Sequence, residues 1–299
     1  MSPKKGFKLK ERYFAIEEPK ILKGMHLFRY AGTFFGAWSL EGCFLLVDNV
    51  FLDTGNPNSS TGGFKSFLKE LDRERPWMIL NTHLHEDHCG KNRLVQSVLK
   101  AKIYSPERVK NFSFVSPLMK LIWGKPKKFK YKDMDREVYE TDRGRTIEVI
   151  PTPGHSPGHV AFRIMPDDVI YTGDAIPLPI KKRYVTAGED YITEMESLKK
   201  LRPYAEGGST FVSAHHGIVK NSLKLIDDRI AGMSAVVEKV RHQVSLGVTD
   251  ETEIGLKVFG KPDFIYDKLG NSLRCREDWT IRSIIDKETD KNDESNNTA

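Results

Sequence analysis

Residues 77–88 read Trp77-Met78-Ile79-Leu80-Asn81-Thr82-His83-Leu84-His85-Glu86-Asp87-His88, and the fold is decided here. The short apolar run reads as a buried strand, and the polar residues that follow read as a turn at its end. His83 and His85 are two positions apart, so at a strand end they project to the same side and can bind one ion together. The chain must then turn, which lets Asp87 and His88 face a second ion. Neutral imidazoles and carboxylates suit zinc, and also iron or manganese. The competing reading is a solvated loop of unligated histidines, but such clustering has no structural use. Metal binding is expected.

Working outward, the other histidines repeat the pattern. Of nine, seven fall in three clusters: His83/His85/His88, His155/His159 and His215/His216. Thr146–Ile150 leads into Thr152-Pro153-Gly154-His155, and Thr210–Val212 leads into Ser213-Ala214-His215. Two further apolar runs end at Asp53 and Asp174, the first preceded by an Asp48-Asn49 connection that suits a tight hairpin. Five polar clusters at the ends of five strands can converge on one point over a rigid sheet. Helical spacing is present at Phe64–Arg73, Lys91–Lys100 and Glu194–Leu201, so an α/β layered domain is expected.

His83-x-His85-x-Asp87-His88, with Leu52-Asp53-Thr54-Gly55 upstream, closely resembles the metallo-β-lactamase superfamily. Thr152-Pro153-Gly154-His155-Ser156-Pro157-Gly158-His159, Thr172-Gly173-Asp174 and Ser213-Ala214-His215-His216-Gly217 match its later motifs in order, over roughly residues 27–221. The resemblance implies a four-layer αββα sandwich with a metal site at one edge of its two sheets. It implies two zinc ions per chain, with iron or manganese as substitutes. By it, His83, His85 and His155 would hold one ion, Asp87, His88 and His215 the other, and Asp174 would bridge them. Asp53 would steady the ligand loop by hydrogen bonds.

The last motif admits two registers. The small residue before the ligand favours His215, the glycine after it favours His216, and the following Ile218-Val219-Lys220-Asn221 fits His215 better. His159 opens the next strand and reads as a hydrogen-bonded neighbour of the site. A thiolate at Cys89 could coordinate zinc, but the ligand set is complete without it, so Cys89 reads as a small packed residue.

The implied chemistry is metal-assisted hydrolysis. Bound zinc lowers the pKa of water from about 15.7 towards about 7, and Asp87 can orient that nucleophile and pass a proton to the leaving group. The substrate expected is a small ester, thioester or lactone. Lys181-Lys182-Arg183, close after Asp174, would favour an anionic one, although a solvated turn explains the same residues. Alternatives are a mononuclear-iron persulfide dioxygenase, whose motif also contains H-x-H-x-D-H, and a nucleic-acid phosphodiesterase or binding protein. The superfamily's RNA-processing enzymes with a large inserted domain are argued down, because only 40 residues separate Asp174 from His215.

Composition sets the outer bounds. The chain has 299 residues, with 29% charged and 39% hydrophobic, and no apolar run long enough to span a membrane. The charged start lacks the apolar core of a secretory signal, and three scattered cysteines do not make a disulfide scaffold, so a cytoplasmic location is expected. A net charge of +6 permits nucleic acid without requiring it. Lys120–Lys132 holds six lysines, no acid and three aromatics, which suits either an exposed loop or a grip on nucleic acid, the loop being favoured. A homodimer is compatible with all of this. Three segments are expected: the metal-hydrolase domain over 1–222, a helical extension over 223–285, and a disordered tail over 286–299 with five acids, two lysines and almost nothing apolar.

Overall fold

Strand alternation sorts the apolar residues of the first half into two sets. Leu45, Val47, Val50 and Leu52 enter one buried cluster, while their neighbours Phe44, Leu46 and Phe51 enter another. A period of two can do this only if both faces of the sheet are covered. The computed structural model describes residues 13–34, 38–57, 62–106, 124–176, 184–186, 188–261 and 275–297. Its first sheet runs in chain order: β1 (Tyr13–Glu17), β2 (His26–Phe34), β3 (Trp38–Val47), β4 (Val50–Leu52), β5 (Met78–Leu80), β6 (Lys102–Ser105) and β7 (Lys132–Asp133). Strands β3 and β4 form the expected hairpin, with Val47 opposite Val50 and Asp48 at φ 54°, a left-handed conformation that Asp tolerates.

The second sheet contains β8 (Val138–Glu140), β9 (Thr146–Pro151), β10 (Val160–Met165), β11 (Val169–Tyr171), β13 (Thr210–Ser213) and β14 (Gly217–Val219), in the order β14-β13-β11-β10-β9-β8. Between β11 and β13 in sequence, β12 (Val185–Thr186) leaves this sheet and pairs antiparallel with β15 (Cys275–Arg276). Leu27, Leu45, Leu52 and Leu80 of the first sheet pack against Tyr139, Ile147, Phe162, Ile164 and Val212 of the second. On the outer face of the first sheet lie α1 (Gly62–Glu70) and α3 (Asn92–Leu99), with the short α2 (Glu86–Cys89) between them in sequence. The outer face of the second carries α4 (Tyr191–Glu206), α5 (Ser222–Ser245), α6 (Glu251–Phe259) and α7 (Glu277–Asn297). The result is the expected four-layer αββα sandwich with C-terminal helices.

Two helices differ from the sequence reading in extent. Helix α4 starts earlier than Glu194, because Asp190 caps it by accepting a hydrogen bond from the Thr193 amide at 2.8 Å. It also runs through Pro203, which a sequence pattern takes as a breaker. At α6 the cap is Asp250, whose side chain accepts from the Glu253 amide at 2.7 Å. Helix α7 continues to Asn297, past Asp286, where the sequence reading expects a disordered tail. Ile281 and Ile284 on its buried face anchor its first turns, and Glu277 and Asp278 complement its N-terminal dipole, so a helix already nucleated carries on into polar sequence.

The lysine-rich stretch is described from residue 124 onward, and Trp123 lies outside the described residues. Its lysines at 125, 127, 128, 130 and 132 are exposed, but Phe129 and Tyr131 are half-buried against the outer apolar cluster of the first sheet. Rings committed to that core are not a platform for stacking bases. Lys181, Lys182 and Arg183 also lie outside the described residues.

Candidate metal centre

Each expected ligand leaves the C-terminal end of a strand, and all seven meet over one edge of the sandwich. His83, His85, Asp87 and His88 follow β5, His155 follows β9, Asp174 follows β11 and His215 follows β13. Strands β4, β5 and β6 are parallel, as are β11 and β13, so their ends face the same way. The His83 and His85 ring centroids are 4.4 Å apart, His83 and His88 4.2 Å, and His85 and His155 4.9 Å. Ligand-type atoms of His83, His85 and His155 lie within 4.8 Å of one another, as do those of Asp87, His88 and His215, and those of His83, His88 and Asp174. His215 Nε2 is 3.4 Å from both Asp87 Oδ2 and Asp174 Oδ1, whereas His216 enters none of these three groups.

Hydrogen bonds behind the histidines fix which nitrogen faces inward. Asp53, at φ 63°, accepts the Thr82 amide at 2.8 Å on Oδ1, and the Thr82 hydroxyl at 2.8 Å and the Tyr171 hydroxyl at 3.0 Å on Oδ2. The single hydroxyl proton of Thr82 is thus given to Asp53, so its oxygen accepts from His83 Nδ1 at 3.0 Å. His83 Nε2 is then a bare lone pair, fully buried and without a hydrogen-bond partner. His88 Nδ1 sits 2.8 Å from Asp53 Oδ2, His215 Nδ1 donates to the Glu41 carbonyl at 2.9 Å, and His155 Nδ1 lies 2.9 Å from Glu189 Oε1. These four histidines therefore turn Nε2 inward, while His85 presents Nδ1, 3.1 Å from His155 Nε2. A buried lone pair that satisfies nothing in the protein fits a cation. The donor set fits a divalent metal.

Titration points the same way. Burial first, and then neighbouring imidazoles, hold His83 well below the usual range and lower His85 to about 4. Burial also opposes charge on His88 and His215, but the carboxylates of Asp174, Asp53 and Asp87 outweigh it at His88, and those of Asp174 and Asp87 at His215. Both are held well above the usual range. In turn, Asp174 is held well below the carboxylate range: burial would raise it, but His88 and His215 win. These carboxylates demand positive charge at their centre, and protons on two histidines supply it when nothing else does.

His159 Nε2 accepts the Asp174 amide at 3.1 Å, and its Nδ1 faces Thr152 Oγ1 at 2.9 Å. Both ring nitrogens are thereby used in holding Asp174 and its own strand, as the sequence reading expects. Cys89 is fully buried with Sγ 3.6 Å from the Leu84 carbonyl, so it packs under the loop. Sequence reasoning misses Thr82, Tyr171, Tyr30 and Glu189. Tyr30 donates its hydroxyl to the Asp87 carbonyl at 3.0 Å, pinning the ligand loop from a strand far away in sequence. Thr82 sits inside the motif and was legible as a hydroxyl beside His83, but no local pattern marks the other three.

The metallo-β-lactamase superfamily pattern matches residues 43–229, and the chain belongs to that superfamily, as a metallo-hydrolase. It is 25% identical over 259 residues to the beta-lactamase-like protein 2 homolog of Caenorhabditis elegans, covering 83% of this chain and 76% of that protein. A hydroxyacylglutathione hydrolase of Erythrobacter litoralis is 27% identical over 140 residues, which is 44% of this chain and 47% of the relative. Among solved structures, a metallo-beta-lactamase family protein of Thermus thermophilus superposes with a TM-score of 0.55 at 20% identity, covering 93% of this chain and 94% of that one.

One prediction arises directly from the two adjacent histidines. His215→Ala is expected to weaken metal binding at the Asp87/His88/His215 group by about 10- to 100-fold or more, and His216→Ala to do much less. Zinc titration against a competing chelator reads both. The reverse ranking would mean that the side chains exchange places about the strand end.

Proposed function

We propose that this chain is a dinuclear, zinc-dependent hydrolase of small esters, thioesters or lactones, with an anionic substrate and a cytoplasmic place of work. The observation that carries the reading is the pair of ligand groups, His83/His85/His155 and Asp87/His88/His215, joined by Asp174. Asp174 Oδ2 is 3.3 Å from His155 Nε2, and Asp174 Oδ1 is 3.3 Å from His88 Nε2, so one carboxylate reaches both groups. Iron or manganese would suit the same donors. When bound, such ions supply Lewis acidity and water that ionises near neutral pH.

The chain's own residues do the rest. Asp87 is a buried carboxylate held ionised by His88 and His215 against the effect of burial, so it can accept a proton at neutral pH and return it to a leaving group. Asp53 and Glu189 hold His88 and His155 in one tautomer and orientation. The hydroxyacylglutathione hydrolase relative supports an acyl substrate carried on sulfur, and Lys181-Lys182-Arg183, close after Asp174 in sequence, suit an anionic one.

A panel of thioesters, lactones, carboxylic esters and phosphodiesters, offered to zinc-loaded protein, tests the reading. Turnover is expected with one of the acyl classes. Cleavage of phosphodiesters alone would move the protein to nucleic-acid processing. Oxygen uptake on a persulfide with one iron per chain would make it a dioxygenase.

A further inference from the structure

His155 differs from the other ligands in what stands behind it. Its Nδ1 meets a carboxylate, Glu189, that comes from neither sheet and from no ligand motif. The Glu189 side chain is only 4% exposed. Oε1 is 2.9 Å from His155 Nδ1, and Oε2 accepts the Thr186 amide at 2.7 Å. The Glu189 amide in turn donates to the Thr186 carbonyl at 3.1 Å, closing a tight turn. Both oxygens are therefore fixed, one on the ligand and one on its own backbone.

That turn is gripped from two sides. On the ligand side, the Asp190 amide donates to the Gly154 carbonyl at 2.8 Å. Gly154 has φ +127°, and a Cβ there would lie 2.2 Å from the Glu194 amide nitrogen, so the His155 loop presses directly on the start of α4. On the other side stands the C-terminal segment. Strand β12, just before Glu189, pairs with β15, just before α7. The Tyr191 amide donates to Ser283 Oγ of α7 at 2.9 Å, and Lys287 of α7 reaches Asp190 at 3.4 Å. Val185 is buried in the same cluster as Ile281 and Ile284.

We infer that Glu189 is a positioning residue for His155, and that the C-terminal helix α7 sets its place, so that the last segment of the chain governs affinity at the three-histidine metal site. The physical reason is general: a carboxylate on the far nitrogen of a metal-binding imidazole fixes its orientation and makes the near nitrogen a better donor. The inference rests on the reading that His83, His85 and His155 hold an ion. Its readout is metal affinity rather than turnover, so the result does not depend on which substrate the enzyme takes.

The test is a cobalt(II) titration of the full chain against a competing chelator, following the visible absorption of the bound ion. Glu189→Gln keeps the shape and one acceptor oxygen but removes the charge. It is expected to weaken the three-histidine site by about 10- to 100-fold and to alter the cobalt spectrum, with an unchanged thermal midpoint in the metal-free protein. Ser283→Ala, which leaves Glu189 in place and removes one tie between its turn and α7, is expected to weaken the same site by a smaller factor. Wild-type affinity and spectrum in Glu189→Gln would overturn the positioning role. A weakened Glu189→Gln beside an unaltered Ser283→Ala and an unaltered Ser283→Ala/Lys287→Ala double variant would overturn the part assigned to the helix.

Discussion

Asp87→Asn lowers kcat by about 10²- to 10⁴-fold and leaves the fold intact, the range that loss of a general base or acid produces. Asp87 is the carboxylate of the ligand loop best placed to handle a proton. Its Oδ2 is 3.4 Å from His215 Nε2 and 3.9 Å from His88 Nε2, and only 9% of its side chain is exposed. Asparagine preserves volume and one coordinating oxygen while removing charge and basicity. The ion held by His83, His85 and His155 should stay, and the second ion should bind more weakly. The loop itself should not move, because the Tyr30 hydroxyl holds Asp87 through its backbone carbonyl, which the substitution keeps. Rates are compared at measured metal occupancy. A variant retaining more than about a third of wild-type turnover would remove Asp87 from both roles, since general acid–base catalysis is worth far more than that.

Asp53→Asn is the control, and the structure changes what it should show. Oδ1 receives the Thr82 amide and Oδ2 receives Thr82 Oγ1, Tyr171 and His88 Nδ1, so donors approach both oxygens. An amide turned either way sets an N–H against a donor in a buried place, at a cost of roughly 1–3 kcal/mol. Asp53→Asn should therefore lower the thermal midpoint and metal retention together, and reduce kcat less than Asp87→Asn does at equal occupancy.

The contrast between these aspartates shows what a sequence carries and what it withholds. The ligand loop is legible because its chemistry is local: two imidazoles at a strand end and a turn that brings Asp87 and His88 round. The five strands that carry the site are legible because their apolar runs are short and end in polar clusters. The choice between His215 and His216 is legible only as a leaning towards His215, since adjacent residues share one motif and the backbone direction at the end of β13 decides which reaches Asp174. Glu189 is invisible for a different reason. Its role exists only because β12 leaves the main sheet to pair with β15, a contact between segments far apart in the chain. Helix α7 beyond Asp286 is hidden similarly, because its polar sequence lacks an apolar face and the anchoring residues lie before it.

Stripping the metals should abolish turnover altogether, and acid should strip the two groups in a fixed order. In the group Asp87/His88/His215, carboxylates hold both histidines well above the ordinary imidazole value of about 6.5, so near neutral pH each takes up a proton that an entering ion must expel. His83, held well below that value, and His85, lowered to about 4, are already neutral there and give up no proton to bind. Proton competition thus begins near neutrality at the first of these groups, whereas His85 of the three-histidine group joins it only towards about pH 4. The metal-free protein follows the same signs. Raised His88 and His215 stabilise the fold below the ordinary imidazole pKa, and this is lost as pH rises through their folded values. Lowered Asp87 and Asp174 stabilise it above the ordinary carboxylate range, and this is lost as pH falls through theirs. The lowered His83, His85 and His159 act the other way, each costing stability as pH falls below the ordinary imidazole value. The metal-free midpoint should therefore peak near that value and fall on either side of it, while metal at about 100 times its Kd adds about 2.7 kcal/mol. Dialysis across a pH series, with metal content and thermal midpoint read at each step, measures all of this. Two ions leaving together, or the three-histidine ion leaving first, would contradict the ligand assignment, and turnover surviving complete chelation would end the metallo-hydrolase reading itself.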